Sequence, residues 1–94
     1  MLLSHAIADS MPPEQVPAFQ AAARQDSDAL RKRFLALGPT RKDAEAPFLL
    51  LAIAAQGNDV EALLLDLSPG RQMQIREVLR NAQAKVERAE GAAH

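Results

Sequence analysis

The sequence contains no cysteine, no tryptophan and no tyrosine, and only three phenylalanines in 94 residues. Without cysteine the chain has no disulfide, no thiolate nucleophile and no cysteine-ligated zinc. Its 11 basic and 12 acidic residues give a net charge of −1, so no overall field attracts nucleic acid or anionic lipid. No apolar run reaches the roughly 18 residues of a membrane span, and the N-terminal residues lack the basic region of a secretory signal. We therefore expect a soluble, cytoplasmic protein without membrane contact.

Hydrophobic residues make up 48% of the chain, and most of them are alanine or leucine. These side chains are not branched at Cβ and lose little rotamer freedom in a helix, whereas sheets favour β-branched and aromatic residues. The length suits one domain covering residues 1–94, with a modest core. We expect residues 1–13 and 91–94 to be flexible or weakly ordered, as chain ends often are.

Proline and glycine divide the chain into four predicted helices, at residues 17–37, 46–56, 58–67 and 69–90. Residues 40–45 are interpreted as a turn or a short helical piece, because Pro47 inside a longer helix would lose a hydrogen bond. Asn58 is a candidate N-cap, and Ser68 followed by Pro69 is another. The prediction is an all-α fold, a compact bundle of four helices, with residues 2–8 as a potential short fifth.

The helix at 46–56 is apolar on every side, which indicates that other helices or a partner enclose it. We place it at the centre of the bundle, buried. Two alternatives stay open for the surplus apolar residues of 46–67: they lie inside, or they form an interface. Met73 lies opposite the apolar stripe of the last helix and close to two arginines, as adaptable interface residues do. The predicted partner-binding residues are Leu49, Leu50, Ile53, Leu65, Met73, Arg76 and Arg80.

A second candidate surface is basic, because five of the eleven cationic residues fall within residues 31–42. Such a cluster offers contacts to phosphate or to an acidic partner, although cations near a helix C-terminus also favour the helix dipole. A helix-turn-helix at 46–67 is excluded, since its second helix carries acidic residues and no basic one. The alternative anion-binding residues are Arg31, Lys32, Arg33, Arg41 and Lys42.

Residues that carry chemistry are scarce. The two histidines, His5 and His94, lie near the ends, and no serine belongs to a nucleophile motif. A zinc site needs three or four ligands, which no spacing provides. Asp26, near the apolar face of the first long helix, is the acid with the least favourable surroundings. Two alternatives stay open for it: a pair with an arginine at the edge of the core, which is the commoner arrangement, or a contact with a charge of the partner. We predict no catalytic residue, no metal and no cofactor.

The sequence therefore predicts a non-enzymatic protein-binding module that acts through an apolar helical surface. Its composition suggests a bacterial regulator, a secretion chaperone or adaptor, or a neutralising protein. The partner is another protein or a second copy of the chain, as in a homodimer. The alternative is a nucleic-acid-associated regulator that uses the basic cluster, although the charge balance makes nucleic acid the less favoured partner.

Overall fold

A computed structural model describes residues 2–92, with side chains to residue 91, and places six α-helices in this range. The helices are α1 (Leu3–Asp9), α2 (Val16–Ala23), α3 (Ser27–Ala36), α4 (Pro39–Ala55), α5 (Glu61–Leu64) and α6 (Pro69–Ala92), with a 3-10 turn at Pro13–Gln15. Helix α4 contacts α1, α2, α3 and α6. The prediction of an all-α bundle around a buried central helix is confirmed. Residues 93 and 94, within the expected flexible end, lie outside the described range.

The segment predicted as one helix at 17–37 is two helices, α2 and α3, and the prediction of a single helix was wrong. Asp26 separates them with an extended backbone (φ −64°, ψ 140°), and its carboxylate accepts from Asp28 N at 3.1 Å and Ala29 N at 3.4 Å. Aspartate is a preferred N-cap because it satisfies the free N–H groups of the first turn. Asp26 is thus an exposed cap, and the expected pairing with an arginine is replaced by these backbone bonds.

Helix α4 begins at Pro39, seven residues before the predicted start, and Pro47 lies inside it. The predicted turn at 40–45 is therefore its first part. The backbone N–H of a residue in the first turn has no acceptor within the helix. Proline lacks this N–H, so Pro39 suits the start of α4. The enclosure predicted for 46–56 is present: its buried residues are Ala46, Pro47, Leu49, Leu50, Leu51, Ala52, Ile53 and Ala54.

The connection from α4 to α5 depends on Gly57, whose φ of +86° lies in the left-handed region. The predicted helix at 58–67 is shorter than expected and begins at Glu61, so Asn58 is not its N-cap. The Asn58 side chain instead donates to the Ser27 hydroxyl at 2.8 Å, which joins this loop to the start of α3. Asp59 accepts from the backbone N–H of Glu61 at 3.0 Å.

The two outer elements, α1 and α6, pack against each other. Helix α6 begins at the predicted Pro69 and buries Ile75, Val78 and Ala82 of its predicted apolar stripe. Helix α1 is the potential fifth helix and buries Ala6 and Ile7 completely. Within residues 2–92, none of the helices has the length and apolar composition needed to cross a bilayer.

Candidate functional site

The predicted partner-binding residues separate into two groups by exposure. Leu49, Leu50 and Ile53 are 2%, 0% and 0% exposed. They belong to the core, so their assignment to a docking surface is corrected: α4 is enclosed by its neighbours. Leu65 and Met73 are 71% and 69% exposed, the two highest values among the large hydrophobic residues of 2–91. An apolar interface can therefore form only from exposed residues outside α4, such as Leu65 and Met73.

An ion pair joins α5, which Leu65 follows directly, to α6, which carries Met73. Arg76 of α6 lies 3.2 Å from a carboxylate oxygen of Glu61 at the start of α5. Arg76 also donates to Gln72 Oε1 at 3.2 Å, and Gln72 Nε2 donates to the Leu67 carbonyl at 2.9 Å. This chain of contacts connects α5, the following turn and the first turns of α6. Arg76 therefore contacts both Glu61 and Gln72.

Helical register places Leu65 near one partner of this ion pair and Met73 near the other. Leu65 follows Glu61 by four residues, and its own backbone remains helical (φ −63°, ψ −21°). Met73 precedes Arg76 by three residues in α6. Residues three or four apart are neighbours on a helix surface, so Leu65 lies near Glu61 and Met73 lies near Arg76. We call Glu61, Leu65, Met73 and Arg76 the α5–α6 corner.

An open groove of about 610 Å³ adjoins the corner. Its apolar part comes from α1, the end of α4, the start of α5 and α6, and Arg80 and Gln83 extend it along α6. Arg80 is exposed and has no ion-pair partner among the described residues. The sequence did not reveal this groove, because distant segments meet there. The lining residues are Leu3, Ala54, Gly57, Asn58, Asp59, Val60, Glu61, Arg76, Leu79, Arg80 and Gln83.

The predicted basic cluster is partly neutralised, because two carboxylates contact three of its five cations. Arg33 and Arg41 both contact the carboxylate of Glu45, at 3.0 and 2.9 Å. Lys42 contacts Asp66 at 3.3 Å, and its ammonium lies 5.6 Å from the centre of the Phe34 ring. The remaining two, Arg31 and Lys32, are exposed on α3 and make no ion pair within residues 2–91. The structure thus leaves two unpaired cations where the sequence suggested five.

The pKa of the Asp43 carboxyl is lowered by contacts with the start of α6. Hydrogen bonds from the hydroxyl and then the backbone N–H of Ser68 lower its pKa below the ordinary value of 3.8. Partial burial acts in the opposite direction, and the charge of Arg71 adds to the lowering. These contacts fasten the start of α6 to α4. Among residues 2–91, no group of three or more His, Cys, Asp or Glu side chains comes together as metal ligands would.

No protein-family model matches this chain, and no curated protein and no solved structure matches it either. The α5–α6 corner, the adjoining groove and the unpaired cations Arg31 and Lys32 are therefore the features that can indicate a function.

Proposed function

We propose that this chain is a non-enzymatic protein-binding module that docks through the α5–α6 corner and the adjoining groove. The observation that supports the proposal best is the exposure of Leu65 and Met73, each within four residues along the chain of the Glu61–Arg76 ion pair. A bacterial cytoplasmic regulator, a secretion chaperone or adaptor, and a neutralising protein would all use such a surface.

The chemistry of the corner suits protein recognition. Methionine adapts its shape to different partners, and arginine is enriched at interfaces, where its stem and its charge both contribute. Covering Leu65 and Met73 would contribute roughly 1.5–3 kcal/mol each. Because association also carries a large entropic cost, a stable complex needs further contacts, and Leu79 and Arg80 in the groove offer them.

The test is site-specific photocrosslinking in the producing cell, with a photoreactive amino acid at position 65 or 73. Position 35 is the matched control, because Leu35 is also an exposed leucine, 52% accessible, but lies on α3. We expect one discrete protein adduct from positions 65 and 73, identified by mass spectrometry, and none from position 35. Adducts of equal pattern and yield from all three positions would contradict the proposal.

A second copy of the chain is one outcome of this experiment. An adduct of twice the chain mass would make the protein a homodimer through the corner. Substituting Leu65→Glu should then yield monomers in light scattering, while Leu35→Glu should not. Adducts with a different protein would favour an adaptor or a regulator.

The nucleic-acid alternative has less support, because Glu45 and Asp66 already contact three of the five cations proposed for it. Each phosphate contact releases counterions, so nucleic-acid affinity falls steeply with salt. We expect fluorescence anisotropy to detect no specific binding of duplex DNA at moderate salt. Tight binding whose affinity falls steeply as the salt concentration rises, with a slope that matches the number of cations in contact with phosphate, would favour this alternative over protein docking.

A further inference from the structure

The chain holds its sulfur in methionine alone. It has no cysteine, and its three methionines are Met1, Met11 and Met73. Met1 lies outside the described residues. Met11 is 6% exposed and belongs to the hydrophobic core, whereas Met73 is 69% exposed on α6. A water-soluble oxidant therefore meets one exposed methionine within residues 2–91.

The helix surface next to Met73 is also open. A long side chain in a helix leans toward the preceding turn, and the residue three positions before Met73 is Gly70. Gly70 has no side chain. Leaving aside its two chain neighbours, no side chain lies within 4 Å of the position that a Cβ of Gly70 would occupy. An oxidant can therefore approach the thioether of Met73 over Gly70.

Hydrogen peroxide oxidises a thioether without a cofactor. The sulfur attacks one peroxide oxygen, so that a sulfur–oxygen bond forms while the oxygen–oxygen bond breaks. The hydroxide that leaves takes up the proton of the new S–OH group and departs as water. Sulfur loses two electrons and the peroxide gains them. The product is methionine sulfoxide, which is polar where the thioether was apolar.

We propose that Met73 is a site of reversible oxidation by peroxide, and that its sulfoxide weakens docking through the α5–α6 corner. Water satisfies the sulfoxide oxygen in the free protein, whereas an apolar partner surface leaves it without a hydrogen bond. Burying such an unpaired polar group costs free energy, and burying the thioether does not. This regulation rests on the proposed function, but the selective oxidation of Met73 needs no partner.

Peptide mass spectrometry tests the selectivity. The folded protein is exposed to hydrogen peroxide, and sulfoxide formation is followed over time in the peptides that contain Met11 and Met73. We expect Met73 to react several-fold faster than Met11 in the folded protein, because Met11 is buried. In the urea-unfolded chain, the two methionines should react at similar rates. Equal rates in the folded protein would overturn the proposal.

Photocrosslinking tests the effect on docking. The purified chain, with a photoreactive amino acid at position 65, is oxidised, freed of peroxide and titrated into an extract of the producing cell, so that the partner never meets the oxidant. We expect oxidation to raise the concentration for half-maximal adduct formation about tenfold or more, which is the affinity that burial of one apolar side chain contributes. Treatment with a methionine sulfoxide reductase and a dithiol should reverse this change, since the dithiol becomes a disulfide and the oxygen leaves as water.

Met73→Leu is the matched control, because leucine keeps an apolar side chain that peroxide does not oxidise. Its adduct should be the same before and after peroxide treatment. An equal loss in Met73→Leu, or an unchanged adduct after complete oxidation of Met73, would contradict the proposal and leave the proposed function standing. A lower urea midpoint of the oxidised chain would also contradict it, since the loss of docking would then reflect unfolding. If the untreated chain forms no adduct, the proposed function fails, and the regulation fails with it.

Discussion

The carboxylate of Asp43 accepts two hydrogen bonds from Ser68, at 2.7 Å from the backbone N–H and 2.6 Å from the hydroxyl. The Ser68 oxygen also accepts from the backbone N–H of Arg71 at 3.4 Å, as an N-cap does. One serine therefore caps α6 and fastens it to α4. The capping role of Ser68 is what the sequence predicted, whereas its bonds to Asp43 were not foreseen.

Replacing Ser68 by alanine should destabilise the fold by about 1 kcal/mol, the usual consequence of losing an N-cap side chain. The loss of the hydroxyl bond to Asp43 adds to this effect. Urea unfolding followed by far-ultraviolet circular dichroism measures the change. Ser4→Ala is the control, because Ser4 lies within α1 and makes no side-chain hydrogen bond among the described residues. Equal stability of the two variants would show that Ser68 contributes nothing as a cap.

The stability of the protein should fall in acid partly through Asp43. Because the folded pKa lies below the ordinary value of 3.8, the ionised carboxylate favours the folded state. Its contribution is fully present above that value and is lost as the pH falls through the folded pKa. Comparing urea midpoints of wild type and Asp43→Asn should reveal a difference at neutral pH that shrinks below pH 3.8. A difference that stays constant with pH would contradict this assignment.

Pro47→Ala should stabilise the protein by about 1 kcal/mol. A proline inside a helix costs about 3 kcal/mol relative to alanine, and α4 continues on both sides of Pro47. Against this gain stands the loss of two buried ring methylenes, at about 0.8 kcal/mol each. Thermal and urea unfolding measure the balance. A loss of several kcal/mol would mean that the packing of the ring outweighs the missing hydrogen bond to the carbonyl of Asp43.

The sequence predicted best what local chemistry decides. The start of α6 follows from Ser68 and Pro69, and its buried stripe follows from helical spacing. The all-apolar segment at 46–56 predicted a central helix for the same reason, since only enclosure suits such a surface. These features need no knowledge of which helix lies next to which.

The features that the sequence did not reveal depend on contacts between distant segments. Asp26 was assigned to the face of a continuous helix, although an aspartate also competes for the backbone and can begin a new helix. Both α2 and α3 pack on α4, so their apolar residues form one continuous stripe along the sequence. The spacing of these residues therefore did not show the break between the two helices. Likewise, only the fold shows that Glu45 lies between Arg33 and Arg41.

Leu50 of α4 and Leu65, which follows α5, should differ strongly in their response to substitution. Leu65→Glu should change the free energy of unfolding by no more than about 0.5 kcal/mol, because the side chain is exposed and replaces no core contact. Leu50→Ala should cost about 2–5 kcal/mol, since it leaves a cavity where a completely buried leucine was. Urea unfolding of both variants gives the comparison. Strong destabilisation by Leu65→Glu would place Leu65 in the core, and any loss of binding in that variant would then reflect unfolding. A stable Leu65→Glu variant makes binding measurements at the α5–α6 corner interpretable.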